Sequence, residues 1–465
     1  MPGLTRAMAL VTTLSSQKLS AGQKEKAHAL RLNGKAQILE AIHGLRQTTL
    51  VAFTPRFPLS TGASRAVPNM RIALCLEYPL AYQGGVSVLC SALAKGFSAH
   101  HEIVLVSPDS AEEFVRLQET IPLHSHVRWD PATVSKRQSQ SLAVAIKERG
   151  VQVAHFHFGG NFGWGVRFPG QSPIPHLARA GVKVVSTVHL VVGPLDGYCG
   201  PQKPLGFKLA LWPVAWLGKM SVLRHLRAEI VVSKFGTRCL RRWYWPRRDR
   251  FRTIYHSRVS EKSALPPPAS REKMILYAGH LAARKGQHIL AEAFVQIAPR
   301  HPEWKLVLLG DGEKEIEDRI RRLSIEHALQ DQIEMLGART DALDWMRRAE
   351  IFVQPSFFEG LPLALQEAMW SGCACLATDI PGNNELISHE VNGLLVRKGD
   401  SEAMAAGLDR LLKDAGLRTR FQQAARASML DKGMSHERMI SSYARLYEDA
   451  LRADRWPVHG RDDPS

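Results

Sequence analysis

A chain of 465 residues, 45% apolar and 23% charged, has the composition of a folded globular protein and too many apolar residues for a disordered one. At about 100–200 residues per domain it holds two or three domains, which excludes a disulfide-stapled mini-protein, a collagen-like chain and a lone binding module. Lysine and arginine number 61 against 44 acidic residues, a formal net charge of +17; this favours anionic partners such as nucleotides, anionic lipid or nucleic acid without choosing among them. Six cysteines (Cys75, Cys90, Cys199, Cys239, Cys373 and Cys375) are sparse and mostly unclustered. That usage fits a reducing compartment, so a cytoplasmic location is expected. The longest apolar run, Leu209–Gly218, is about half what a membrane-spanning helix needs, and no span is expected.

Residues 1–69 carry nine basic and two acidic residues. They read as a poorly ordered basic extension with one helix near Lys24–Gln47, or alternatively as a transit-like segment. Met70, just before the first clear strand, is a candidate second start. From there short apolar runs alternate with helical periodicity. Strand Ile72–Leu76 leads through Gly84 and Gly85 to a helix marked by Val86, Leu89, Cys90, Leu93 and Phe97. Strand Ile103–Val106, helix Ala132–Arg149, strands Val151–Phe156 and Val182–Val188, then Glu229–Val232 and Phe251–Tyr255 complete the first series. Three consecutive prolines in SALPPPASR hold an extended, semi-rigid chain, which makes residues 261–272 a linker. A second series has strands Met274–Ala278, Lys305–Leu309, Gln332–Leu336, Ile351–Gln354 and Ala374–Thr378. A last helix, about His436–Asp454, follows. Strands separated by helices imply parallel sheets covered on both faces. The expected fold is α/β: two doubly wound, Rossmann-like domains, 70–260 and 273–435, facing a cleft, with 436–455 packing back toward the first.

The most informative segment is FFEGLPLALQE, Phe357–Glu367. Gly360 permits a tight turn, and Pro362 suits the first position of a helix running to about Ser371. Such a helix start presents free N–H groups and a positive dipole end, a ready site for phosphate or sugar oxygens. Glu359 lies just before it and Glu367 little more than a turn inside. One carboxylate accepts two hydroxyl hydrogen bonds, which suits a vicinal diol such as ribose O2′ and O3′; taken alone, the pair reads rather as two solvated acids on a capped helix. In YAGHLAARKG, residues 277–286, a strand ends at Ala278 and Lys285-Gly286 opens a helix. A lysine there can reach a phosphate and offset its negative charge. Gly84-Gly85 after the first strand lets backbone approach a pyrophosphate, or simply makes a turn. His189 ends its strand on the side that faces the ligand crevice in open α/β sheets.

The spacing of Glu359 and Glu367 within EGLPLALQEAMWSGCACLATDIPGNNELI closely resembles the retaining family 4 glycosyltransferases of the GT-B fold, and the resemblance runs through residues 70–452. It implies that Glu367 binds the nucleotide ribose and that Glu359 contacts the donor sugar or its phosphate neighbourhood. It implies further that amides around Gly360, Leu361, Leu363 and Ala364 touch sugar and phosphate, that the Gly84-Gly85 loop approaches the donor, and that His189 contacts the transferred sugar. Gly310-Asp311-Gly312 resembles a family turn shaping the cleft floor, and Met335, Leu336 and Gly337 fall near the base. Lys285 matches the family lysine. The arginine that usually follows the glycine is replaced by His280, so either Arg284 substitutes or phosphate affinity depends on His280 protonation. A further departure is IYHSRVS, residues 254–260, where His256, Ser257 and Ser260 stand for the family's Asn, Gly and Asp. His155 and His157 read as structural or cleft-lining, and Cys373 and Cys375 as buried small apolar residues. The histidines have no carboxylate or cysteine at ligand spacing, and no metal or other cofactor is expected.

Lys203–Arg227 is apolar and aromatic with interspersed cations. It reads either as an interfacial helix on anionic lipid at the membrane's cytoplasmic face or as a core helix with Trp212 and Trp216 turned inward. The basic, aromatic run RRWYWPRRDR lacks any accompanying nucleic-acid fold motif, so lipid or an acidic surface is preferred to nucleic acid. The function implied is a retaining hexosyltransferase that moves a sugar from a nucleotide-sugar to a glycan or lipid-linked acceptor. Its rivals are a GT-B phosphorylase or epimerase and a catalytically weakened sugar-binding protein. An NAD-dependent oxidoreductase is disfavoured, because neither first βα turn reads GxGxxG with a following acid.

Overall fold

The computed structural model describes residues 69–82, 84–130, 135–164, 166, 170–195, 203–261 and 270–452. The basic extension with its expected helix, Cys199 and most of the proline-rich linker lie outside the described residues. Seven strands form a parallel sheet in the order β3-β2-β1-β4-β5-β6-β7. They are β1 (Arg71–Leu76), β2 (Glu102–Ser107), β3 (Ser125–Arg128), β4 (Val153–Phe158), β5 (Lys183–Val188), β6 (Ala228–Val231) and β7 (Phe251–Thr253). Helices α1 (Gly85–Phe97), α2 (Ala111–Gln118), α3 (Lys136–Glu148), α4 (Ile174–Arg179), α5 (Leu205–Leu223) and α6 (Lys234–Trp243) connect them. The central strands β1, β2 and β4 are buried almost throughout, as parallel strands covered on both faces must be.

A second parallel sheet runs β10-β9-β8-β11-β12-β13. Its strands are β8 (Glu272–Ala278), β9 (Lys305–Leu309), β10 (Ile333–Met335), β11 (Ala349–Gln354), β12 (Ala374–Thr378) and β13 (Leu394–Val396). Around it lie α7 (Gln287–Ile297), α8 (Lys314–Glu326), α9 (Ala342–Arg348), α10 (Leu363–Trp370), α11 (Asn383–Leu386), α12 (Ser401–Lys413) and α13 (Ala415–Asp431). The last helix, α14 (His436–Arg452), leaves this lobe and packs on the first. Its Met439, Tyr443, Leu446, Tyr447 and Ala450 share a core with Ile72, Leu74, Leu89, Leu93 and Phe97. Burying each larger side chain there contributes about 1.5–3 kcal/mol.

Both sheets are doubly wound: strand order reverses between β1 and β4 in one, between β8 and β11 in the other. Ligands in such sheets bind beyond the carboxyl ends of the strands at that reversal. Two details differ from expectation. Pro362 is the N-cap of α10 rather than its first helical residue, with ψ at 118°. Strand β4 lies two residues later than the periodicity suggests, so it contains His157.

Candidate active site

The loops that leave β8 and β11 lie side by side, because those strands are parallel neighbours, paired through Ile351–Ile275 and Phe352–Leu276 after a register shift near Ala349. After β8 the chain makes a short 3-10 turn, Ala283–Lys285, and Gly286 then enters the left-handed region with φ at 75° before α7. A side chain there would put Cβ 2.1 Å from the Pro355 carbonyl oxygen, so glycine lets this turn press against the β11 loop. The Phe357 amide donates to the Arg284 carbonyl at 2.9 Å and fixes the contact. Lys285 Nζ thereby reaches Glu359 Oε1 at 2.6 Å. The same oxygen accepts from Gln354 Nε2 at 3.0 Å and Ser356 Oγ at 2.8 Å.

Glu359, Gly360 and Leu361 then lead into α10. No side chain caps that helix, and its first N–H groups, around Leu363 and Ala364, have no intrahelical acceptor. The first lobe meets the second here: a Cβ on Gly360 would stand 2.1 Å from the His189 carbonyl oxygen. Glu367, one turn into α10, is only 4% exposed. Its two oxygens accept from Arg258, Nε on Oε1 and Nη2 on Oε2, the latter at 2.9 Å. Burial pushes the Glu367 carboxyl up, and the Arg258 hydrogen bonds and charge only partly oppose it. Lys285 and Glu359 therefore meet beyond the carboxyl ends of the central strands β8 and β11, and Glu367 lies in the helix that follows.

His189 follows β5, and its Nε2 lies 3.1 Å from His157 Nδ1. His157 Nε2 is buried without a partner. We assign the proton of His157 to Nδ1, since an unused lone pair costs less to bury than an unused N–H. His189 Nε2 is then the acceptor, and its own N–H sits on Nδ1. Burial drives His189 down to about 3, so the ring is neutral near pH 7. Behind it, His155 bridges Tyr447 at 2.6 Å and Thr187 at 2.8 Å. Thr187 meets Tyr443 at 2.9 Å, and Tyr443 meets His256 at 2.7 Å. Two tyrosines of α14 thus tie the last helix to strands β4 and β5 and to His256, in the segment that crosses from β7 to the second lobe.

The remaining expected residues lie at helix starts and in loops that follow strands of the two sheets. Gly84 is the N-cap of α1 and Gly85 its first residue, with no side-chain cap. His280 and Arg284 are exposed, while the His280 carbonyl is held by Tyr277 and Gln287. Gly337 adopts φ 69°, and its carbonyl accepts from Gly310 at 2.7 Å, linking the Leu336-Gly337 turn to the Gly310–Gly312 turn. Cys373 and Cys375 are buried, and burial pushes the Cys373 thiol up to about 12. Among the described residues no group of three His, Cys, Asp or Glu side chains is placed to hold a metal ion.

Two functional contacts were not legible in the sequence. One is Arg258, which reads there as part of a hinge. The other is Glu385 of α11, which accepts from the Lys234 and Phe235 amides at 2.9 and 2.6 Å and from the Tyr255 hydroxyl at 3.2 Å. It supplies an anion to the N-terminus of α6 across the lobe boundary. In helix α5, Trp212 and Trp216 pack on the core, while Leu205, Phe207, Leu209, Val214 and Leu217 are exposed. Its Lys219 is a correction, because it is buried against Glu229 at 2.7 Å rather than turned outward as an interfacial cation. Among the described residues no helix is long and apolar enough to cross a membrane.

Two family models match, "Glycosyltransferase Family 4" over residues 83–257 and "Glycosyl transferases group 1" over residues 260–428. The chain is a GT-B-fold glycosyltransferase related to both families. An uncharacterized glycosyltransferase of Methanocaldococcus jannaschii is 26% identical over 411 residues, 82% of this chain and 99% of that one. The UDP-Gal:alpha-D-GlcNAc-diphosphoundecaprenol alpha-1,3-galactosyltransferase of Escherichia coli is 32% identical over 138 residues, 29% of this chain and 35% of that one. Among solved structures, Anabaena HepE in complex with UDP-glucose shares the fold, with a TM-score of 0.64 at 17% identity over 82% of this chain and 100% of the other. In this glycosyltransferase Arg258 lies between the two matched segments, so neither family model draws attention to it.

Proposed function

We propose that this glycosyltransferase is retaining. It binds a nucleotide-sugar mainly on residues 273–435 and its acceptor mainly on residues 70–260, with 261–272 as the linker between them. The observation that carries the reading is the contact of Lys285 with Glu359 just before the uncapped start of α10, the helix that holds Glu367, with Gly360 against the His189 turn of the opposite lobe. Glu367 takes the ribose hydroxyls, and Lys285 with Arg284 or His280 neutralises the diphosphate. Glu359 and the Nδ1–H of neutral His189 hold the sugar, with the α10 amides around Leu361 and Ala364. Gly84-Gly85 and Leu336-Gly337 border the phosphate and base.

The transfer breaks the bond from C1 to the phosphate oxygen and forms one from C1 to the acceptor oxygen on the same face. The acceptor proton passes to the departing phosphate, which leaves as nucleoside diphosphate. Lys285 stabilises that developing charge, and the apposed lobes keep water from the donor. A glycan or lipid-linked acceptor is supported by the Escherichia coli relative, named for a diphosphoundecaprenol acceptor. The exposed apolar residues of α5, with Lys203 beside Phe207, support peripheral contact with an anionic membrane.

Thermal melting against UDP-, GDP- and ADP-sugars tests the donor: one series is expected to raise the melting temperature with occupancy and to release its nucleoside diphosphate on incubation. No stabilisation and no release across the panel would refute the reading. For the membrane, Phe207→Glu with Leu209→Glu is expected to abolish sedimentation with phosphatidylglycerol vesicles; unchanged sedimentation would count against α5.

A further inference from the structure

We propose that Arg258 is a positioning residue for donor recognition: its guanidinium fork fixes the Glu367 carboxylate so that the outward lone pairs receive the ribose diol. The inference rests on the reading of Glu367 as the ribose acid and goes beyond it. The fork is bidentate, with Nε on one oxygen and Nη2 on the other. An ionised carboxylate offers about four acceptor positions; the fork takes one on each oxygen and leaves one on each, the number that vicinal O2′–H and O3′–H groups need.

Burial supplies the second argument. Glu367 is almost wholly enclosed, while the Arg258 side chain remains 34% exposed at the cleft. A carboxylate so enclosed tends to take up a proton, and a protonated acid loses an acceptor position. The permanently charged guanidinium opposes this, as a desolvated lysine would do less reliably. The third argument is topological. Arg258 lies in the segment that crosses from β7 to the second lobe, where its neighbours Tyr255 and Val259 pack on the same core as Leu365, Ala368 and Met369 of α10, so the fork is positioned from the core that also positions the acid.

Calorimetry tests this with whichever of UDP, GDP and ADP binds, compared with its 2′,3′-dideoxy analogue. The wild type is expected to prefer the ribonucleotide by about tenfold or more, the size of losing hydrogen bonds to a charged group. Arg258→Ala is expected to lose most of that preference while binding the dideoxy analogue as the wild type does, and Arg258→Lys to restore part of it. A preference unchanged in Arg258→Ala, or enlarged as it would be if Arg258 merely blocked the site, would overturn the proposal. If Arg258→Ala binds neither nucleotide, Arg258→Gln decides by the same comparison. Glu367→Gln separates the two levels: an intact preference in that variant would refute the ribose assignment itself and not only the role of Arg258.

Discussion

Glu359 and Glu367 flank one helix start, yet their neighbours give them different work. Three donors converge on Oε1 of Glu359, so that acid holds Lys285 in place from a fixed position. The cationic partner of Glu367 is Arg258, from the segment that crosses between the lobes. Replacing Lys285 with Ala removes the cation expected beside the leaving diphosphate; turnover at saturating donor should fall about 10²–10³-fold, as for loss of one preorganised electrostatic contact. Nucleotide release measures it, and a loss under threefold would remove Lys285 from the chemistry. The lysine and both acids were singled out through the family pattern around them, since alone each reads as an ordinary residue near a strand or helix end. Arg258 was not, since a single arginine in an irregular segment carries no periodicity, and its partner lies 109 residues away.

Elements meet across the cleft through backbone as much as side chains. Gly360→Ala would drive a methyl into the His189 carbonyl, 2.1 Å from its Cβ, and backbone there has no easy escape. Activity should fall by an order of magnitude or more while each lobe stays folded; full activity would show that the lobes do not meet at this point during turnover. Glu385→Ala removes the anion at the start of α6 and should cost about 1 kcal/mol, the usual value of a helix N-terminal cap. A melting temperature unchanged within error would argue against that cross-lobe contact. The strands that the sequence revealed are the apolar central ones and the edge strands β7 and β10. Edge strands β3 and β13 escaped, being four and three residues long, with β3 largely polar. Helix α2 escaped too, although its capping box of Ser110 and Glu113 was a visible signal.

For the whole molecule, the buried histidine cluster predicts acid sensitivity. Burial pushes His155 and His189 down to about 3, and His157 and His256 well below the ordinary value. Between about 3 and 6.5 the unfolded chain binds protons that the folded chain refuses, so stability rises with pH there and is lost on acidification. Each histidine contributes a slope of at most about 1.4 kcal/mol per pH unit. Glu367, raised by burial, works in the opposite sense above its ordinary range, but one carboxyl stands against four imidazoles. Melting temperature should therefore drop steeply from pH 6.5 to 5. A flat profile would mean that the cluster is hydrated and charged.

Titrating the cognate nucleoside diphosphate into wild type, Lys285→Ala and Glu367→Gln by calorimetry asks most directly whether one small molecule bridges the phosphate and ribose ends of this cleft. Both substitutions are expected to weaken the same ligand by about tenfold or more, consistent with loss of a charge-assisted hydrogen bond at each end. Wild-type affinity in either variant would place the nucleotide elsewhere.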